Sequence, residues 1–277
     1  MKLNFIKTNP TENMTVFVAD QIPRSKHIKV AQKIMNYNSI YAEQVGFIEK
    51  PMDENSEACA RLQMMGGEFC GNATRALAAT LVYKEYCEVE NDGKKVIVPL
   101  EVSGADNIIC CEVEPINNRS FRSTASMPLH KGIKDFSIAY NGKVYGGILV
   151  EFPGIAHLVI DSKDVDSKKM FFQAVKNHMN ISEYDALGIM FYKEEESYIE
   201  PLVYVKETDS LIWERGCGSG SSAVAIALSY KYKKGVDVII NQPGGELQVI
   251  TKWMDDQVVK IHLSGIVHIV AEGIVHL

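Results

Sequence analysis

A cysteine motif occurs twice in this chain, once in each half, and limits the folds that are open to it. FCGNAT stands at residues 69–74 and GCGSGS at residues 216–221, and an apolar stretch with helical periodicity follows each motif. The interval between Cys70 and Cys217 is close to half of the 277-residue chain. Each copy therefore fills about half of the chain, far more than one unit of a solenoid repeat.

Two further segments recur in the same order and at nearly the same interval. VGFI at 45–48 pairs with LGIM at 187–190, and NMTV at 13–16 pairs with HLVI at 157–160. These repeats predict two pseudo-symmetric domains that arose by internal duplication. The periodicities indicate about two helices and many strands in each half, which is typical of an α+β fold.

The boundary between the halves is not marked by a linker rich in Pro, Gly or Ser. We predict an N-terminal half over 1–120 and a C-terminal half over 121–263, with 264–277 as a candidate completion of the first half. The active site is expected in the cleft between the two halves.

Composition and charge exclude several classes of protein. Hydrophobic residues make up 46% of the chain and charged residues 23%, as in ordinary globular proteins, and the net charge of −6 argues against nucleic-acid binding. No apolar run approaches the roughly 20 residues that span a bilayer. The opening stretch at residues 1–7 is too short and too polar for a signal peptide. We expect a cytoplasmic protein with neither nucleic-acid nor membrane partners.

The cysteine pattern points to reduced thiols. The six cysteines show no CxxC spacing, and no pair of histidines has the i, i+4 spacing of a helical zinc site, so we predict no metal. Neither a G-x-G-x-x-G nor a Walker A motif occurs, and we predict no cofactor. Four cysteines are predicted to be packing residues: Cys59, Cys87, Cys110 and Cys111.

With these motifs the chain resembles, over essentially its full length, the diaminopimelate-epimerase-fold family of cofactor-independent amino-acid racemases and epimerases. The resemblance also rests on EQVGF at 43–47 and ERGCGSG at 214–220. It implies, in each half, a curved and mostly antiparallel sheet around a central helix. Within the family the chain looks closest to the histidine racemases, through EQVGFIE at 43–49, EFCGNAT at 68–74, LIWE at 211–214 and QPGG at 242–245.

Two departures bear on the substrate. Ile155 and Ala186 stand where diaminopimelate epimerases carry asparagines that would help to hold a zwitterionic distal group. These departures argue against diaminopimelate, and the resemblance to histidine racemases implies racemisation of L-histidine to D-histidine. A diaminopimelate epimerase and a proline or hydroxyproline racemase or epimerase are the enzyme alternatives. A thiol-redox protein or a non-catalytic binding protein is the alternative of another class.

The chemistry requires an acid and a base on opposite faces of Cα, since one proton leaves from one side and another returns from the other. We predict that Cys70 and Cys217 supply them, one as thiolate and one as thiol. A helix N-terminus favours a thiolate and also binds a carboxylate. The backbone N–H groups predicted to hold the α-carboxylate, in the manner of an oxyanion hole, belong to Gly71, Asn72, Gly218 and Ser219.

The resemblance also implies roles for residues outside the helix starts. Glu214 is a candidate for binding the α-ammonium group, with a surface ion pair to Arg215 as the alternative. His157 would orient a thiol or be a hydrogen-bonded core residue, and Asn13 would touch the substrate or cap its turn. Glu43 would accept an imidazole N–H, a charge-assisted bond of about 1.5 to 3 kcal/mol, or be an ordinary exposed residue. A homodimer is a candidate assembly.

Overall fold

A computed structural model describes residues 1–86, 95–163, 165–179 and 183–277. The α-helices are α1 (His27–Met35), α2 (Gly71–Tyr83), α3 (Lys168–His178) and α4 (Gly218–Tyr232). The first eight strands are β1 (Lys2–Pro10), β2 (Thr15–Val18), β3 (Gln44–Glu49), β4 (Ala60–Met64), β5 (Val96–Val102), β6 (Ile109–Asn117), β7 (Ser120–Ser126) and β8 (Gly132–Tyr140). The other strands are β9 (Lys143–Phe152), β10 (Ile155–Asp161), β11 (Ala186–Lys193), β12 (Tyr198–Val205), β13 (Ser210–Trp213), β14 (Asp237–Gln242), β15 (Gly245–Met254) and β16 (Gln257–His276).

The chain divides into two compact units. The first consists of Met1–Ser126 together with Leu263–Leu277, and the second of Met127–His262. Strand β16 therefore belongs to both units, because its residues from Leu263 onward are part of the first. No helix in the described part of the chain combines the length and the apolar character that a transmembrane span requires.

In the first unit the strands follow the order β1-β2-β3-β4-β5-β6-β7-β16, and β16 pairs back with β1. The pairs β2–β3 and β4–β5 are parallel, whereas β1–β2, β3–β4, β5–β6 and β6–β7 are antiparallel. Parallel neighbours cannot be joined by a tight turn and need a crossover. Helices α1 and α2 are the crossovers of the two parallel pairs.

In the second unit the order is β8-β9-β10-β11-β12-β14-β15-β16, and β13 pairs with β12 at the side of this path. The pairs β10–β11 and β12–β14 are parallel, and α3 and α4 are their crossovers. An Asn-Gly pair, a strong hairpin signal in a sequence, stands at 141–142 and joins β8 to β9. Both of its residues have positive φ, 49° and 77°, as a tight turn between twisted strands requires.

Helices α2 and α4 are buried on all sides, whereas an amphipathic helix buries one face. In α2 every residue from Gly71 to Leu81 is buried, and the helix packs against strands of its own unit, among them β1, β5, β6 and β7. In α4 the run from Ala223 to Ala227 is buried, and the helix packs against β9, β10, β11 and β15. Their hydroxyl side chains donate to carbonyl groups one turn back, which satisfies them without water; examples are Thr74, Thr80, Ser221, Ser222 and Ser229.

The cysteines of the described ranges carry no disulfide. The packing prediction is confirmed for Cys111, which is buried, while Cys59 is half-buried. It is wrong for Cys110, which is exposed, because consecutive residues of a strand such as β6 point to opposite faces of the sheet. Cys87 lies outside the described residues.

A turn after β5 supports the segment that leads into α2. The Ser103 hydroxyl donates to the carbonyl oxygen of Glu68 over 2.9 Å and accepts the Met64 N–H, also at 2.9 Å. Gly104 has a φ of 73° and lies against Phe69, so that a Cβ at this position would come within 2.5 Å of the Phe69 nitrogen. The close approach of these two backbone segments requires glycine.

We expect Gly104→Ala to destabilise the protein more than Gly142→Ala does. Both positions have positive φ, but a Cβ at Gly142 would meet no atom within 4 Å. The backbone overlap at Gly104 should add about 1 to 3 kcal/mol to the conformational cost that the two substitutions share. Urea unfolding followed by circular dichroism measures the difference, and equal losses would contradict the proposed role of Gly104.

Candidate active site

Cys70 is the N-cap residue of α2. Its backbone is extended, with φ −130° and ψ 109°, and its sulfur accepts the N–H of Ala73 at 3.4 Å. The Thr74 N–H donates to the Cys70 carbonyl oxygen over 2.9 Å, which closes the first turn of the helix. The thiol thus takes the place of the Ser, Thr, Asp or Asn oxygen that usually caps a helix. It lies at the positive end of the helix dipole.

Two hydrogen-bonded pairs of side chains occur at Cys70 and at the start of β3, within the first unit. The Cys70 thiol donates to Oε1 of Gln44 over 2.8 Å, and Gln44 follows Glu43 at the start of β3. The Asn13 amide in turn donates to Oε2 of Glu43 over 3.1 Å. Asn13 Oδ1 is buried and has no hydrogen-bond partner among the described residues. Two predicted site residues, Asn13 and Glu43, therefore bond to each other, and Glu43 is the chain neighbour of the residue that contacts the thiol.

Cys217 is the N-cap residue of α4 and repeats the geometry of Cys70. Its φ is −109° and its ψ 103°, and its sulfur accepts the N–H of Gly220 at 3.3 Å. The Ser221 N–H donates to the Cys217 carbonyl oxygen over 3.0 Å. The Cys217 N–H donates to Oε1 of Gln242 over 2.7 Å, which anchors the helix start to the turn after β14. Both predicted helix starts are confirmed within one residue.

The electrostatic surroundings of Cys217 favour the neutral thiol. Burial is the main cause that raises the pKa of this thiol, and its side chain is only 2% exposed. The negative charge of Glu214 adds to the effect, and so does the hydrogen bond that the thiol donates to the Glu214 carboxylate. The Gly220 N–H and the Ser219 hydroxyl act in the opposite direction, but they rank below the causes that raise the pKa. Glu214, a predicted site residue, therefore contacts the thiol itself.

His157 on β10 reaches Cys217 through Ser219. The imidazole Nε2 lies 2.9 Å from the Ser219 hydroxyl, which lies 3.7 Å from the Cys217 sulfur. His157 is completely buried, and burial lowers its pKa to about 3, so the ring is neutral at physiological pH. A Cβ at Gly188 on β11 would come within 2.3 Å of Nδ1 of this ring. Glycine is therefore needed at position 188 to make room for the imidazole.

Sequence reasoning missed two residues that lie near Cys70 in the structure, Gln44 and Arg75. Gln44 contacts the Cys70 thiol, and the signal was its position next to Glu43 at the start of a strand. Arg75 donates through Nη2 to Oδ1 of Asn72 over 2.8 Å, so the Asn72 side chain is engaged within its own helix. The signal for Arg75 was an arginine inside an otherwise apolar helix. In the ranges that the structure describes, no three His, Cys, Asp or Glu side chains gather closely enough to hold a metal ion.

The burial of His157 gives a test that needs no substrate. The ring-proton NMR signals of His157, assigned by their absence in His157→Gln, should not move between pH 8 and pH 5, because burial disfavours the imidazolium form. The reference is an unperturbed histidine side chain in a peptide, whose ring has a pKa of about 6.5. A midpoint close to that value for His157 would contradict the burial seen here.

The sequence matches histidine racemases over nearly its whole length. A family model described as the histidine racemase CntK N-terminal domain matches residues 2–276. The chain is similar to a histidine racemase of Fusobacterium nucleatum subsp. nucleatum, with 34% identity over 99% of this chain and 97% of that one. It is also similar to a histidine racemase of Staphylococcus aureus, with 26% identity over 98% of this chain and 96% of that one.

Solved structures show the fold. The chain is similar to a hydroxyproline epimerase from Agrobacterium vitis, crystallised with trans-4-hydroxy-L-proline, with a TM-score of 0.71 and 11% identity over 100% of this chain and 93% of that one. The fold is therefore that of this hydroxyproline epimerase, and the predicted resemblance to a family of racemases and epimerases is confirmed. Together with the match over residues 2–276, these similarities show that the chain belongs to the histidine racemase CntK N-terminal domain family.

Proposed function

We propose that this protein is an isomerase that racemises histidine at Cα without a cofactor. The observation that carries the proposal is a pair of cysteines, each capping a buried helix, in a chain that matches histidine racemases from end to end. The match covers 96% or more of the length of each histidine racemase named above.

Cys70 and Cys217 act as the two bases in this proposal. One thiolate removes the Cα proton, the other thiol returns a proton to the opposite face, and the reverse reaction exchanges their roles. A free thiol has a pKa of about 8.5 and is only slightly ionised at neutral pH, so the site must favour one thiolate. The shared N-cap geometry supports this assignment, because the helix dipole stabilises negative charge at both sulfurs.

The proposal includes two units derived from an internal duplication, each with a central helix, and an active site in the cleft between the halves. Equivalent orders of pairing support it. From β1 to β6 the pairs alternate between antiparallel and parallel, and the pairs from β9 through β12 to β14 and β15 alternate in the same way. In each series the second crossover is the helix that a cysteine caps.

The first turns of α2 and α4 would bind the α-carboxylate and stabilise the charge that spreads into it as the proton leaves. Backbone N–H groups point out of a helix N-terminus and are suited to an anion. Because the Asn72 side chain is held by Arg75, we assign the backbone N–H of Asn72 to this role, together with those of Gly71, Gly218 and Ser219. Loss of one such donor typically lowers the rate by roughly 10²- to 10³-fold.

The remaining contacts would orient the substrate. Glu43, held by Asn13, would accept an N–H of the substrate imidazole, and Asn13 itself would line the site. Glu214, already in contact with the Cys217 thiol, would bind the α-ammonium group. His157 would position that thiol through the Ser219 hydroxyl, as a neutral ring.

The same proposal covers location and partners. The partner is a free amino acid, and the net charge of −6 supports the expectation that neither nucleic acid nor a membrane is bound. We propose that the protein works in the cytoplasm, where its thiols would stay reduced, and that it forms a homodimer.

Deuterium incorporation at Cα tests the reaction, the substrate and both bases. In D₂O the protein should introduce deuterium into L-histidine and form D-histidine, in the presence of a reductant. Cys70→Ser and Cys217→Ser should each lower racemisation by at least about 10²-fold, since general acid–base groups contribute that much or more. Cys110→Ser removes an exposed thiol and should leave the rate unchanged.

The alternatives predict other outcomes of this assay. Exchange confined to diaminopimelate or to proline and hydroxyproline would overturn the histidine assignment. Activity that requires oxidation of Cys70 and Cys217 to a disulfide would favour a thiol-redox protein, because such a bond would remove both bases of a racemase.

Substitution of Glu43 tests how the side chain of the substrate is recognised. Glu43→Ala and the closer match Glu43→Gln should both raise the KM for histidine, about 10-fold or more if a charge-assisted hydrogen bond is lost. The kcat should fall less, and the unfolding transition should stay close to that of the wild type. Steady-state kinetics in both directions give these values, and an unchanged KM would remove Glu43 from the site.

A further inference from the structure

Arg75 is a buried cation in a helix that is otherwise apolar. It is the largest completely buried side chain of the described residues, with 0% of its surface exposed. Its Nη2 donates to Oδ1 of Asn72, but Nε and Nη1 have no hydrogen-bond partner in the described part of the chain. Burial lowers its pKa to about 10, so the guanidinium still carries its charge at neutral pH.

Such a group requires a negative charge nearby. A buried ion that lacks a partner costs several kcal/mol even after the protein relaxes, and its removal from water is repaid only by a close counter-charge. The Arg75 side chain reaches back toward the start of α2, since its Nη2 bonds to Asn72, two residues after Cys70. The ionisable groups whose negative forms raise the pKa of Arg75 are Cys70 at the start of the same helix and Cys111 on β6. The counter-charge is therefore one of these two sulfurs.

Cys111 does not fit this role. It is completely buried, and burial raises the pKa of its thiol, with the neighbouring Cys110 adding to the effect. Cys70 is half-buried, accepts the N–H of Ala73 and lies at the positive end of α2. Cys70 is the sulfur whose surroundings suit an anion.

We propose that Arg75 is a positioning residue that stabilises Cys70 as the thiolate in the resting enzyme, in which Cys217 is the neutral thiol. The proposal rests on the two-base function above and assigns the starting protonation state of each base. One proton is then shared between the two sulfurs, as a two-base racemase requires: the Cys70 thiolate accepts the Cα proton, and the Cys217 thiol donates its own to the opposite face.

In the second unit the charge beside the capping cysteine, Cys217, is negative. Ser222 stands five residues after Cys217, as Arg75 stands five residues after Cys70, and its hydroxyl donates to the Gly218 carbonyl oxygen. The charged group that contacts Cys217 is the Glu214 carboxylate, and the nearby His157 is neutral. Two sulfurs with equal local geometry therefore differ in the sign of the charge beside them.

The groups around Cys70 on other elements are compatible with a thiolate only if a cation offsets them. Glu43 precedes Gln44 and is held by Asn13, and the Glu68 carboxylate accepts the Gly66 N–H over 2.9 Å. Glu43 is adjacent to Gln44, the partner of Cys70, and Glu68 stands two residues before Cys70. A carboxylate close to a sulfur disfavours the thiolate. Arg75 is the buried cation on the same helix as Cys70 that can compensate for them.

Gln44 can serve Cys70 in both protonation states. Its Oε1 accepts from the thiol over 2.8 Å. An amide also carries an N–H₂ donor, so a half rotation of the side chain presents Nε2 to a thiolate. A partner of this kind suits a sulfur that gains and loses a proton in every turnover.

The pH dependence of alkylation measures the state of Cys70 directly and without substrate. Iodoacetamide modification of the wild type, quantified on the Cys70 peptide by mass spectrometry, should titrate with a midpoint at least about one unit below the 8.5 of a free thiol. A wild-type midpoint at or above 8.5 would overturn the proposal, even if histidine exchanges its Cα proton normally. Absence of that exchange with a low Cys70 midpoint would instead refute the proposed function.

Substitutions of Arg75 test whether its charge lowers the pKa of the Cys70 thiol. Arg75→Met should raise the midpoint by about 1 to 3 units, the range expected when an opposite charge within a few ångströms is lost. Arg75→Lys keeps the charge and should keep the alkylation midpoint of Cys70 low. If Arg75→Met does not fold, a midpoint in Arg75→Lys at or above that of a free thiol would contradict the proposed role of the charge. Arg61→Met is the matched control, because Arg61 is paired with Glu101 and Glu49 in the same unit, and it should leave the midpoint unchanged.

The same variants separate positioning from a structural role in the kinetics. In Arg75→Met the acid limb of kcat/KM should move to higher pH, with kcat lowered at pH 7 and KM for histidine nearly unchanged. A uniform loss of activity at every pH, without a shift of the limb or of the alkylation midpoint, would show that Arg75 supports only the packing of α2.

Discussion

Each unit buries one helix on every side, and this burial determines what can stand at the start of that helix. The first turn of any helix directs N–H groups outward that must find acceptors, and an apolar enclosure provides few. In α2 and α4 the cysteine sulfur accepts one of them, and Thr74 and Ser221 turn their hydroxyls back onto the helix. The same geometry that completes the fold therefore places a thiol beside a group of N–H donors.

Burial also sets the charges around these sulfurs. The Cys217 thiol is kept neutral by its exclusion from water and by Glu214, and His157 is kept neutral by its exclusion from water alone. In the first unit the buried charge is positive, at Arg75, and it acts on Cys70. The two helix caps are alike in backbone geometry, and in the proposed mechanism the different charges beside them make one sulfur the base and the other the acid.

Much of the fold could be predicted from local sequence. The hairpin at Asn141-Gly142 and the two cysteine helix starts follow from turn chemistry and periodicity, which depend on neighbouring residues. The long strand β16 was not predicted as one element shared by both units, because its pairing with β1 joins the two ends of the chain. The exposure of Cys110 was missed because composition carries no information about which face of a strand is buried.

The sequence by itself determined that two cysteines begin two helices and that the chain belongs with the histidine racemases, since both conclusions depend on motifs that are continuous in the chain. Only the tertiary structure decided which side chains surround each thiol. Gln44 reaches Cys70, Ser219 joins His157 to Cys217, and Arg75 is completely buried. These contacts and the pKa values that follow from them depend on burial and on residues distant in sequence, which no local pattern encodes.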